Sequence, residues 1–136
     1  MNKLKLLTFP KLFKTLDYEI IKVEDKNISF NGVDIKVAPD IIIKGMVNGK
    51  VVYGGIKIHI CKSKPFDFHQ AKYVSNTIYT FLQKKVADKN EKVLAELCFC
   101  CDVFSDRIVQ ASEDNRKEIF EIKNLCLEII KLSETL

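Results

Sequence analysis

Two Asn-Gly dipeptides, Asn31-Gly32 and Asn48-Gly49, each sit between short runs rich in Val and Ile. A two-residue type I′ turn needs positive φ at both central positions, which Gly adopts freely and Asn more readily than most residues. Each dipeptide therefore predicts a tight hairpin. The first joins Asn27-Ile-Ser-Phe30 to Val33-Asp-Ile-Lys-Val37; the second joins Ile41–Val47 to Lys50–Ile60. Tyr18–Val23 also reads as extended, and Pro39 is the one interruption, so the first half predicts a long antiparallel meander. A short helix precedes it around Pro10–Asp17, with the proline in its first turn.

The second half changes period. Asp67 is a good N-cap, and Ala71, Val74, Ile78, Phe81 and Leu82 follow at helical spacing, predicting a helix from Phe68 to about Val86. Tyr73, Tyr79 and Phe81 on it read as packing. Val93–Phe104 is almost continuously apolar, the mark of a strand covered on both faces. Ser105-Asp106 turns it into Arg107–Ala111, and a last helix is predicted from Ser112, with Ile119, Ile122, Cys126, Ile129 and Ile130 on one stripe. Gly54-Gly55 inside a strand run predicts a bulge or a close backbone approach. Helix, meander, helix, strand or hairpin, and helix in this order predict an α/β (α+β) fold: one mixed central sheet flanked by helices. The 136 residues suit a single domain.

Charge is unevenly placed. Residues 1–65 carry 12 lysines against 6 acids, and residues 66–136 carry 10 basic residues against 12 acids. A basic first half suits a phosphate-bearing partner, although no block of consecutive basic residues occurs. No apolar run approaches the roughly 20 residues of a membrane span, and the opening residues are too short in their apolar part for a secretory leader. The five cysteines, Cys61, Cys98, Cys100, Cys101 and Cys126, lack the spacing of a disulfide framework. A reducing, cytoplasmic setting is expected. On a strand, Cys98 and Cys100 face opposite to Cys101, so no zinc site is expected there and buried thiols are the better reading.

Pro39-Asp40 opening one strand and Gly55-Ile-Lys57 on the next resemble the motif of the PD-(D/E)XK nuclease superfamily, the restriction-endonuclease-like fold. The resemblance extends to the element order over most of the chain; its motif covers about 20 residues. It implies that Asp40 is a magnesium ligand and that Lys57 orients or activates the attacking water. The family's second acid falls on Gly55, which has no side-chain oxygen, and one carboxylate holds magnesium only weakly. His59, two residues on, shares the face of Tyr53, Lys57 and Cys61.

Superfamily members relocate the second acid, which makes Glu19, Glu96 and Asp102 candidates, with Glu19 foremost as the added metal ligand. Gln70 would be a neutral helper, because Gln70-Ala-Lys-Tyr73 is similar, one residue short, to a glutamine–tyrosine motif in some of these nucleases. The expectation is nucleic-acid binding on a nuclease scaffold with a degenerate or relocated magnesium-dependent site. The alternative is a non-catalytic module that binds a protein partner or a second copy through a sheet edge or the last helix. A third, weaker reading is a thiol sensor at Cys98, Cys100 and Cys101.

Overall fold

The computed structural model describes residues 9–60, 62–64 and 66–135. The chain runs α1 (Lys11–Thr15), β1 (Tyr18–Ile21), β2 (Asn27–Phe30), β3 (Val33–Lys36), β4 (Ile41–Val47), β5 (Lys50–His59), α2 (Phe68–Lys85), β6 (Lys92–Asp102), β7 (Arg107–Gln110) and α3 (Arg116–Thr135). Both Asn-Gly turns form as predicted, with φ of 51° and 82° at Asn31 and Gly32 and 51° and 79° at Asn48 and Gly49. A mixed α+β sheet results, in the order β1-β4-β5-β6-β7. Its pairs are antiparallel except β5 and β6, which run parallel because α2 carries the chain across between them.

The predicted meander is not continuous. Strand β4 takes β1 as its neighbour, from Tyr18 opposite Gly45 to Ile21 opposite Ile42, and β2–β3 stands apart as a two-stranded sheet. The reason is that the hairpin buries Ile28, Phe30 and Val37 against the α2 side of the core instead of extending the sheet. Val37 closes it by donating its N–H to the Lys26 carbonyl at 2.6 Å, and the chain then turns through Ala38 and Pro39 into β4.

Both sheet faces are covered, which accounts for the unbroken apolar character of β6. On one face Leu12, Phe13 and Leu16 from α1 and its exit pack on Ile43, Val52 and Leu97. On the other, Ile78, Phe81 and Leu82 of α2 pack with Tyr53, Ile42 and Cys98. The Tyr53–Gly55 side of β5 therefore lies beneath α2. The thiols divide as alternation requires: Cys98 and Cys100 lie toward α2, and Cys101 packs with Phe9, Ile58 and Ile108 on the opposite side.

The Gly54-Gly55 pair marks both a bulge and a close approach. Between Tyr53 opposite Val93 and Gly55 opposite Cys98, β5 advances by two residues while β6 advances by five. The surplus drives Leu97 toward Gly54, where a Cβ would stand 2.5 Å from both the Leu97 carbonyl oxygen and its Cβ. Backbone cannot retreat as a side-chain tip can. Gly54 is thus required by β6.

Helix α2 begins at Phe68 under a complete capping box. Asp67 accepts the Gln70 N–H at 2.8 Å, and the Gln70 side chain accepts the Asp67 N–H at 3.0 Å. Helix α3 starts four residues later than Ser112 predicts. The Ser112 N–H is drawn instead to Oδ1 of buried Asn76 at 3.0 Å, and Asn115 donates its side-chain amide to Thr80 at 3.2 Å. These bonds spend residues 112–115 on docking to α2. Ile122 and Cys126 are buried, as the stripe predicts, whereas Ile129 is 54% exposed. Lys72 of α2 meets Glu118 of α3 at 2.8 Å, and Glu118 is almost wholly buried.

Gly54→Ala is expected to lower the free energy of unfolding in urea by about 1–3 kcal/mol, the usual cost of overpacking a filled core. The hydrogen bond from Lys72 holds the Glu118 carboxyl below the usual carboxylate range, against the opposing effect of burial. That stability is fully present above the unfolded value of about 4.3 and is lost as pH falls through the lower folded value. Glu118→Gln should therefore flatten the acid limb of a stability–pH profile.

Candidate functional site

Asp40 is the residue at which the chain enters β4. Its N–H donates to the Ile56 carbonyl at 2.8 Å, and its Oδ2 accepts the Ile58 N–H at 2.6 Å. The carboxylate is thus clamped on the backbone either side of Lys57. Lys57 Nζ lies 3.7 Å from the same Oδ2, with the two side chains 29% and 42% exposed. A pair this open to water is worth at most about 1 kcal/mol, so the lysine is held in place without being consumed. Register continues the row: Lys57 stands opposite Cys100, and His59 opposite Asp102, which in turn faces Arg107. Asp40, Lys57 and His59 are brought to one end of the sheet.

The ring of His59 is already occupied. It stacks on Phe66 with 3.7 Å between centroids and 7° between planes, and its Nε2 meets the Lys64 carbonyl at 2.8 Å. Since a carbonyl only accepts, Nε2 carries the proton. Fully buried Asp102 accepts the N–H groups of Phe66 and, at 3.2 Å, Ser105; Arg107 donates to the Phe66 carbonyl at 3.2 Å. His59, Asp102 and Arg107 together pin the loop between β5 and α2, leaving Lys62, Ser63 and Lys64 facing solvent. Nothing in the sequence paired Phe66 and Arg107 with this site; the contact exists only once β6–β7 folds back beside the loop.

The other candidates fall elsewhere. Gln70 spends its side-chain oxygen on the α2 cap. Glu19 stands opposite Lys44, four positions along β4 from Asp40, or roughly 13 Å at a rise of ~3.3 Å per residue. It cannot share a metal with Asp40. Glu96 lies in the irregular stretch of β6, on a surface with Gln110 and Glu113. Tyr53 turns away, donating to Glu91 at 3.0 Å, and burial followed by that carboxylate pushes its phenol up to about 12. Cys61 lies outside the described residues.

Gly55 decides what this site can hold. A Cβ there would stand 2.5 Å from Ile78 Cγ2, 3.3 Å from Leu82 Cδ1 and 3.8 Å from Pro39 Cβ. The place of the second acid is not a gap; α2 fills it. Magnesium takes hard oxygen ligands, usually one or two carboxylates with waters and substrate oxygens. Here Asp40 offers one carboxylate, and its Oδ2 is shared between Ile58 and Lys57. Among the described residues no three His, Cys, Asp or Glu side chains stand together as a metal-ligating group. The residues present do not fit a two-carboxylate magnesium centre.

The thiols do not supply another nucleophile. Burial pushes Cys98 and Cys100 up to about 12, with Asp102 adding to the shift at Cys100, and burial also raises Cys101. At neutral pH they stay protonated and buried, unlike the exposed, low-pKa cysteines that sense oxidants.

Compared with models of known protein families, with curated proteins and with solved structures, the chain finds no match.

Gly55→Glu is expected to lower the melting temperature and to bind neither magnesium nor manganese in a calorimetric titration. Adding Ile78→Ala, which removes the obstructing methyl, should restore part of the lost stability, a coupling that a double-mutant cycle measures.

Proposed function

We propose that the Asp40–Lys57 end of the sheet is a nucleic-acid-binding surface on a nuclease-type scaffold, working by charge and shape without cutting. One observation carries this reading. Lys57, the lysine of the motif resemblance, is held beside Asp40, while Gly55, two residues before it, is packed against Ile78 and Leu82. A site with the cation kept and the metal ligand filled in favours phosphate binding over phosphodiester hydrolysis, which needs charge neutralisation and an activated water.

The order of elements supports the scaffold. Helix α1, the antiparallel β1, β4 and β5, helix α2 and the parallel β6 follow the family's helix, three strands, helix and strand, with β2–β3 inserted. The surroundings suit an anionic partner as well: exposed Lys36 lines a cleft with Lys57, and exposed Lys62 and Lys64 lie on the loop that meets His59, Asp102 and Arg107. Prearranged cations lose less freedom on binding than mobile ones. A cytoplasmic setting belongs to the same reading, since the four described cysteines are free and buried. No helix among the described residues is long and apolar enough to cross a membrane.

A second reading, a protein-interaction module, has its own support. Leu125, Ile129 and Leu132, spaced like the seam of a helix pair, are 49%, 54% and 65% exposed on α3. Sedimentation of the purified chain separates the two: a concentration-dependent dimer lost in Ile129→Lys favours the module.

For the nucleic-acid reading, Lys57→Ala should weaken oligonucleotide binding and reduce the slope of log K against log salt by about 1. Asp40→Asn should bind at least as tightly as the parent, because it removes a negative charge beside the phosphate site. A metal-dependent nuclease would instead lose its substrate cleavage in Asp40→Asn, and fluorescence anisotropy beside a cleavage assay reads both outcomes.

A further inference from the structure

Lys57 also lines a cleft of about 290 Å3 between the β3–β4 linker and α2. Its walls are Ile35 and Ala38 on one side and Val74, Ile78 and the ring of Tyr73 on the other; Lys36 and Lys57 supply the positive charge. The Tyr73 hydroxyl is tied to Glu121 at 2.5 Å, so the ring is held where it lines the cleft. The Thr77 hydroxyl is turned back to the Tyr73 carbonyl at 2.7 Å, which leaves that wall apolar. The Val37 N–H is likewise committed, to the Lys26 carbonyl.

We infer that this cleft receives one base of a single-stranded nucleic acid, with the adjoining phosphate on Lys57 and Lys36. The inference rests on the proposed function and narrows its substrate class. At about 290 Å3 the cleft falls at the small end of the range for ligand sites, room for one flat group and not for a drug-sized ligand. An apolar slot with cations at its mouth matches the two parts of a nucleotide, a base with an apolar face and an anionic phosphate. A base in a duplex would have to leave its stack to enter, whereas in a single strand it is free to do so. With the Thr77 hydroxyl proton and the Val37 N–H already donated within the chain, the slot has few free donors to read a base edge. Recognition is therefore tolerant of sequence.

The test uses the full chain and a labelled oligothymidylate of about 8 nucleotides, within the site sizes known for single-strand binders. Its comparators are a strand of equal length with every nucleotide abasic and the matching duplex. The parent protein should bind the thymidylate about tenfold more tightly than the abasic strand, the worth of one stacked base, and more tightly than the duplex. Ala38→Trp places a large ring over the mouth of the cleft from an exposed linker position, and Thr77→Phe fills it from α2. Each should remove the preference for bases while keeping the salt slope, with circular dichroism checking the fold.

Equal affinity for thymidylate and abasic strands, with Lys57→Ala still impairing both, would overturn the base pocket and leave the phosphate surface standing. Indifference of all three ligands to Lys57→Ala would overturn the pocket and the surface together. Tighter binding of the duplex than of the thymidylate would also overturn the single-strand assignment.

Discussion

At Gly54 and Gly55, strand β5 is pressed from both sides. The Leu97 backbone of β6 comes within 2.5 Å of where a Cβ of Gly54 would lie, and Ile78 of α2 comes equally close at Gly55. This double contact sets the distance between sheet and crossover helix, and with it the depth of the core containing Tyr53, Ile78, Leu82 and Cys98. It also fixes where α2 ends its approach to Lys57, since Ile78 both seals Gly55 and lines the neighbouring cleft. Two absent side chains therefore govern the packing of three layers and the chemistry left at their edge.

Beside this contact, the Asp40–Lys57 pair is held by bonds that need no metal. Asp40 is useful to the fold independently of any metal, because its carboxylate and N–H bind the backbone of β5 on both sides of Lys57. His59 and Asp102 are structural in the same sense, since they fasten the loop that carries Lys62 and Lys64. These bonds fix the backbone that carries the lysines, whose side chains stay exposed and hydrated.

Much of this was legible in the residues, where local rules act alone. The Asn-Gly turns, the Asp67 cap, the alternation of the cysteines and the meaning of Gly54-Gly55 all follow from backbone preference or strand period. What escaped the sequence depends on pairing across long separations. Nothing local says that β4 pairs with β1 so that β2–β3 stands apart, or that Asn76 draws in Ser112 and delays α3. At the site, Asp40 and Lys57 could be found by motif, but Gln70 and Glu19 could be judged only once the cap and the strand register were fixed. The glycine looked like a missing ligand; the structure makes it a filled space.

The role proposed for the Asp40–Lys57 end is to bind phosphate without a metal. A nuclear magnetic resonance titration of the isotope-labelled chain with a short single strand, run with and without magnesium, puts this to the test. Shifts confined to Lys36, Asp40, Lys57, Ile58, the loop at Lys62–Lys64 and the cleft residues Ala38, Tyr73, Val74 and Thr77, unchanged by the metal, are expected. Shifts that arise only with magnesium, or that map away from Lys57, would contradict it.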